Sequence, residues 1–153
     1  MNTKTLRREL RINRELDNSM NELLAGMKKF VDDTHIWESR MEEHQMNNVV
    51  AVAQETNSVE VVKNYIRYQV GRDVRNDNWR WRVGSIKNFG EQLVDKLDEL
   101  HDLATGIVAG ASNPSAPPRD VDRVWVTLTR AYLGQLNRYF VYNKKTKTKE
   151  ERR

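Results

Sequence analysis

Apolar residues recur at spacings of three and four along most of this 153-residue chain, the pattern of amphipathic helices that each bury one stripe. The first run carries Leu6, Leu10, Leu16, Met20, Leu23, Leu24, Met27, Phe30 and Val31, and predicts a helix from near Thr5 with a weak point at Gly26. A second predicted helix spans Ile36 to about Gln54, with Trp37, Met41 and the small apolar run Val49 to Ala53. That run also reads as a short strand, but no nearby segment offers it a sheet partner, which favours helix. Asn57 or Ser58 caps a third helix, and with Asn57 as the cap Glu60 is the reciprocal partner. Val59, Val62, Ile66 and Val70 form its buried stripe, and Gly71 is the expected left-handed stop.

The fourth predicted helix starts at an Asp77 or Asn78 cap and carries Trp79, Val83, Ile86, Leu93, Leu97, Leu100, Ala104 and Ile107, skipping Gly90. This is a coiled-coil-like seam about thirty residues long. Pro114, Pro117 and Pro118, in GASNPSAPPR, form the only clear linker. Asp120 then caps a fifth helix with Val121, Trp125, Leu128, Tyr132, Leu136 and Tyr139 inward. Val126, Leu133 and Phe140 repeat every seven residues, a quarter turn or more off that stripe. A second seam needs a second packing surface, either a helix of the same chain, the favoured reading, or a neighbouring subunit. The expectation is an all-α fold: a single bundle of about five to six helices with a long central helix over residues 1–143, and a basic, disordered tail over 144–153.

Composition narrows the classes. Hydrophobic residues are 38% and charged residues 31%, wet for a globular chain but suited to long one-striped helices. Cysteine is absent, which excludes disulfides and thiolate zinc sites. The start, MNTKTLRRELRINREL, has no apolar core of a signal peptide, and no apolar run approaches the ~20 residues of a membrane span. A cytoplasmic protein with no membrane partner is expected.

Charge changes the picture more. The net charge is +4, and the last ten residues alone hold six basic and two acidic side chains, so the body is about neutral with its charges sorted. Asp32 to Glu60 and Glu91 to Asp102 are acidic; Lys4 to Arg14 is basic. The densest basic stretch, KNYIRYQVGRDVRNDNWRWRVGSIK, holds Lys63, Arg67, Arg72, Arg75, Arg80, Arg82 and Lys87 against Asp73 and Asp77. Tyr65, Tyr68, Trp79 and Trp81 are interleaved. Cations neutralise phosphates and aromatic faces accept unstacked bases, so this mixture suits a nucleic-acid groove; it equally describes a solvated helical corner with aromatics turned inward. On a helical wheel Lys63 and Arg67 share a flank of the third helix, and Arg80, Gly84 and Lys87 one side of the fourth. Trp81 lies off the main stripe and either packs on a second neighbour, the favoured reading, or stacks. Backbone contact with little sequence preference is the expected mode.

Enzymatic signatures are poor. His35, His44 and His101 form no HExxH and no i, i+4 pair, and no glycine-rich phosphate loop occurs. The His101-Asp102 dipeptide lacks the further spaced ligands of a metal phosphohydrolase. No catalytic residue, metal site or cofactor is expected.

The run VEVVKNYIRYQVGRD, Val59 to Asp73, resembles the Tyr-x-x-Gly-Arg helix end of the small helical subunit of type III CRISPR effector complexes, the Csm-type small subunit. Tyr68, Gly71 and Arg72 stand in those positions. The last helix, VWVTLTRAYLGQLNRYFVYNKK, is similar to that family's closing helix, and the resemblance covers roughly residues 58–145. The first fifty residues have no clear counterpart in it. The resemblance implies a non-catalytic subunit of an antiviral-defence ribonucleoprotein, stacked head to tail along a guide RNA–target duplex; apart from the resemblance, single-stranded DNA is a further candidate ligand. It makes Arg72 the matching arginine, with Lys63 and Arg67 on the preceding turns, and makes Val126, Leu133 and Phe140 a subunit contact. The competing expectation is a helical protein-interaction adaptor, or a self-associating coiled-coil protein, whose basic corner is merely solvated.

Overall fold

The computed structural model describes residues 2–111 and 118–151, with side chains through 147. Five α-helices follow in order: α1 (Thr3–Thr34), α2 (Glu43–Glu55), α3 (Val59–Arg72), α4 (Phe89–Ala111) and α5 (Pro118–Glu151), with a single 3-10 turn, Ile36–Glu38, after α1. The described residues contain no strand, so Val49 to Ala53 is helical. The expected linker residues Pro114 and Pro117 lie outside the described residues. Pro118 opens α5, where its missing N–H costs nothing.

The long helix at the centre is α5, not the fourth: it packs against α1, the 3-10 turn, α2, α3 and α4. Being surrounded, it needs a wide apolar face. Val126, Leu133 and Phe140 are 8%, 0% and 0% exposed within the single chain, beside the equally buried Leu128, Tyr132 and Leu136. This corrects the subunit-contact expectation: the second seam on α5 is core.

α1 runs unbroken through Gly26, capped by Asn2, whose side chain accepts from the Thr5 N–H at 2.8 Å. Its inner half buries Leu23, Met27, Phe30 and Val31, and His35 closes it in the left-handed region at φ 51°. The single helix expected from Ile36 is in fact two pieces. Ser39 donates to the Ile36 carbonyl at 2.6 Å and accepts from the Met41 N–H at 3.0 Å, which turns the chain. Glu42 and Gln45 then form a reciprocal cap on α2. Ser58, rather than Asn57, caps α3. Gly71 stays inside α3, which stops one residue after it, at Arg72, with Asp73 as a cap of negative φ.

The largest departure is at the fourth helix, which begins at Phe89 and not near Asn78. Residues 73–88 are an irregular loop. Trp79 is buried, as expected of a core residue, but Val83 is 44% and Ile86 92% exposed. The run is dense in Asp, Asn and Ser, whose side chains compete for backbone hydrogen bonds and so favour turns over helix. α4 meets α3 closely at Gly90, where an added Cβ would collide with the Val70 side chain.

The basic end is not a separate tail from Lys144: α5 continues to Glu151. Lys144 donates to the backbone oxygens of Ser39 and Met41, and Lys147 lies over the Trp37 ring at 4.3 Å. These lysines clamp the chain reversal after α1.

Candidate nucleic-acid interface

The loop between α3 and α4 is built on one buried carboxylate. Asp73, 6% exposed, accepts from the backbone N–H groups of Arg75 at 3.2 Å, Asn78 at 3.1 Å and Arg80 at 2.8 Å. Asn76 supplies the left-handed residue the turn needs, at φ 57°. Trp79 packs into the core at a tilt to Phe89, ring centres 5.9 Å apart, and Phe89 in turn stacks on Phe30 at 5.4 Å. Trp81, half-buried, donates its indole N–H to the Thr34 carbonyl at 2.9 Å, so it packs rather than standing free. The Phe89 N–H bonds the Trp81 carbonyl at 2.7 Å and the Gly90 N–H the Trp79 carbonyl at 2.9 Å, which satisfies the first donors of α4. An Asn88–Glu91 reciprocal pair completes that cap.

This frame sorts the seven basic residues of the stretch. Lys63 is buried, its ammonium 2.6 Å from Asp98 and 3.0 Å from Glu60, above the Trp125 ring. Burial works against the Lys63 charge, but the Asp98 and Glu60 carboxylates outweigh it and hold the pKa above the ordinary lysine value. The flank expected to pair Lys63 with Arg67 is therefore split: Lys63 is a structural ion. Arg80 is half-buried and donates from Nε to the Val70 carbonyl at 2.7 Å, capping the end of α3. Lys87 pairs with Asp95 at 2.7 Å. Arg80, Gly84 and Lys87 do not share a helix face, since all three precede α4; Gly84 sits at φ 63° at an exposed loop tip.

Arg67, Arg72, Arg75 and Arg82 remain. All four are exposed, and none pairs with a carboxylate among the described residues. Arg72 lies over the exposed Tyr68 ring at 5.4 Å, and Arg82 donates to the Ile86 carbonyl at 3.1 Å. The end of α3 forms a ridge with Tyr68, Gly71 and Arg72 outward. A groove on one flank holds Arg67 and Lys87, and a cleft on the other holds Arg72 and Arg75.

That second cleft, about 360 Å³, was not foreseen from the sequence. It brings His44, Gln45 and Asn48 of α2 to Tyr65 and Gln69 of α3 and to the loop. Gln69 had a partial signal, lying within the basic stretch; the α2 residues had none, because only tertiary packing sets α2 against the loop.

The histidines stay apart. His35 packs on Trp37 at 4.9 Å, His101 meets the Trp125 ring edge-on at 4.7 Å, and His44 lies 3.1 Å from Glu42. Among the described residues no group of three or more His, Cys, Asp or Glu side chains comes together as a metal site. No described helix is long and apolar enough to cross a membrane. No known protein family, curated protein or solved structure matches the chain.

Proposed function

We propose that this protein is a non-catalytic assembly subunit that holds RNA by its sugar–phosphate backbone, through Arg67, Arg72, Arg75 and Arg82. The observation that carries the reading is the set of four outward guanidinium groups without a carboxylate partner, fixed on a helix end and a loop that is itself tied to the core. Lys4, Arg7, Arg11 and Arg14 on α1 are likewise exposed without a carboxylate partner among the described residues, but the four arginines of the corner have aromatic side chains interleaved with them, and such a group attracts an anionic counterpart. Guanidinium groups match phosphate geometry in two-point hydrogen bonds. Lys63 and Arg80 are engaged within the chain, and Lys87 pairs with Asp95 in the groove that Arg67 lines.

The resemblance of Tyr68, Gly71 and Arg72, and of the closing helix, to the Csm-type small subunit supplies the context we favour: a guide RNA–target duplex inside a multi-subunit CRISPR effector. In that context other subunits, or further copies of this chain, complete the groove.

The test is fluorescence anisotropy with labelled single-stranded RNA, RNA duplex and single-stranded DNA at two salt concentrations. Arg67→Glu/Arg72→Glu is expected to weaken RNA binding at least tenfold and to lower the salt dependence by roughly two ion equivalents. Binding unchanged by that double substitution removes the site assignment.

One observation favours a second reading, a protein-interaction adaptor. The same loop exposes Val74 at 84% and Ile86 at 92%, side chains that a protein partner would cover. On that reading Ile86→Asp abolishes assembly with the effector subunits and leaves RNA binding intact.

A further inference from the structure

The cleft beside Arg72 differs in chemistry from the open basic surface around it. Its walls are rich in neutral hydrogen-bonding groups. Among the described residues the amides of Asn48 and Gln69 bond no other protein group, so each keeps a donor and an acceptor free. Tyr65 lines it from α3, and the buried Trp79 backs it. Trp79 is 1% exposed, and its indole N–H is buried without a hydrogen-bond partner, a donor left unspent behind the cleft wall.

Two arginines and two aspartates line the cleft, and they differ in how far they are engaged. Both aspartates are engaged: the Asp73 carboxylate accepts three backbone N–H groups, and Asp77 faces Arg40 at 3.8 Å. Arg72 and Arg75 have no such partner among the described residues. Arg72 and Arg75 are thus the cleft groups able to pair with an anion, and Asn48, Gln69 and Tyr65 add amides and an aromatic side chain.

We propose that this cleft receives a single unstacked nucleotide, with its phosphate on Arg72 and Arg75 and its base against Tyr65, read by the Asn48 and Gln69 amides. Side-chain amides form paired donor–acceptor contacts with base edges, and unstacked bases settle on aromatic faces. A volume of about 360 Å³ takes one nucleotide and not a stacked pair. The cleft is preformed, because the Asp73 bonds and the buried Trp79 fix its loop wall before any ligand arrives. The proposal rests on the reading that this corner binds nucleic acid. It adds that one base per subunit leaves the strand's stack.

The experiment compares two labelled RNA strands of equal length, one intact and one with its bases removed. The wild-type chain is expected to bind the intact strand about tenfold more tightly, the scale of holding one base. Asn48→Leu/Gln69→Leu is expected to bring the intact strand down to the abasic level with the salt dependence unchanged. Asn48→Ala/Gln69→Ala, uncharged like the leucine pair, serves in its place if the leucine pair fails to fold by circular dichroism. Free adenosine or uridine monophosphate displacing the strand better than ribose 5-phosphate supports the same pocket; equal displacement by ribose 5-phosphate overturns base recognition. Equal binding of both strands, weakened by Arg67→Glu/Arg72→Glu, overturns the cleft and leaves backbone binding standing. Strand binding that neither set of substitutions alters overturns both.

Discussion

A basic side chain's identity says little about its task until its neighbours are known. Lys63 and Arg67 stand one turn apart on α3, yet one is locked between Asp98 and Glu60 and the other faces solvent. Arg130 is a further case: it donates to the Ala53 and Thr56 carbonyls at 2.8 and 2.9 Å, finishing α2 rather than meeting a ligand. Gly90 shows the same dependence in a residue with no side chain at all. Its hydrogen faces Val70, a β-branched residue with little freedom to move, and the Trp79 carbonyl lies 3.3 Å from where a Cβ would sit. Gly90→Ala is expected to cost about 1–3 kcal/mol by overpacking the α3–α4 contact, read as a lower midpoint in urea unfolding. The sequence marked Gly90 only as a gap in an apolar pattern. The reason for the gap is the neighbouring helix.

Element boundaries followed from local chemistry where caps were strong and failed where side chains competed with the helix. α1, α3 and α5 lie where periodicity placed them, because each carries an apolar stripe long enough to outweigh single weak positions such as Gly26. Residues 73–88 also have helical spacing, in Trp79, Val83 and Ile86, but Asp73 captures three backbone N–H groups and holds the chain in a turn. Asp73→Ala is expected to destabilise the protein by about 2–3 kcal/mol, the scale of hydrogen bonds to a buried charge. Hydrogen exchange should then rise first at Arg75, Asn78 and Arg80, and RNA binding should fall without any cation being removed. At the other end, α5 extends past Asn143 because Lys144 and Lys147 find a carbonyl pair and a Trp37 ring to rest on. A lysine run lowers the expectation of order only when nothing receives it.

Across the whole molecule the buried titratable groups set how stability varies with pH. Burial pushes the Tyr132 phenol far above its ordinary value of 10.0, with the Glu99 charge adding to the shift. The unfolded chain thus releases this proton near pH 10 while the folded chain keeps it, so stability is lost as pH rises past that point. Lys63 acts in the same direction: its raised pKa contributes stability that is complete below the ordinary lysine value of 10.5 and is lost as pH climbs through its folded value. The melting temperature is expected to fall above about pH 10, and Tyr132→Phe to flatten that fall; each 1 kcal/mol moves it roughly 2–4 °C in a domain of this size. At neutral pH the same variant is expected to be neutral or slightly stabilising, since the Tyr132 hydroxyl is buried without a partner. The sequence by itself determined the all-helical class, the position of most helices and one stretch in which spare positive charge collects. These depend on spacing and composition, which act over a few residues. Tertiary structure alone decided which helix is central, that Val126, Leu133 and Phe140 are core, which four of seven cations stay free, and that α2 closes a cleft against the α3–α4 loop. Each of those outcomes depends on contacts between residues distant in the chain, and no local periodicity encodes which surfaces will meet.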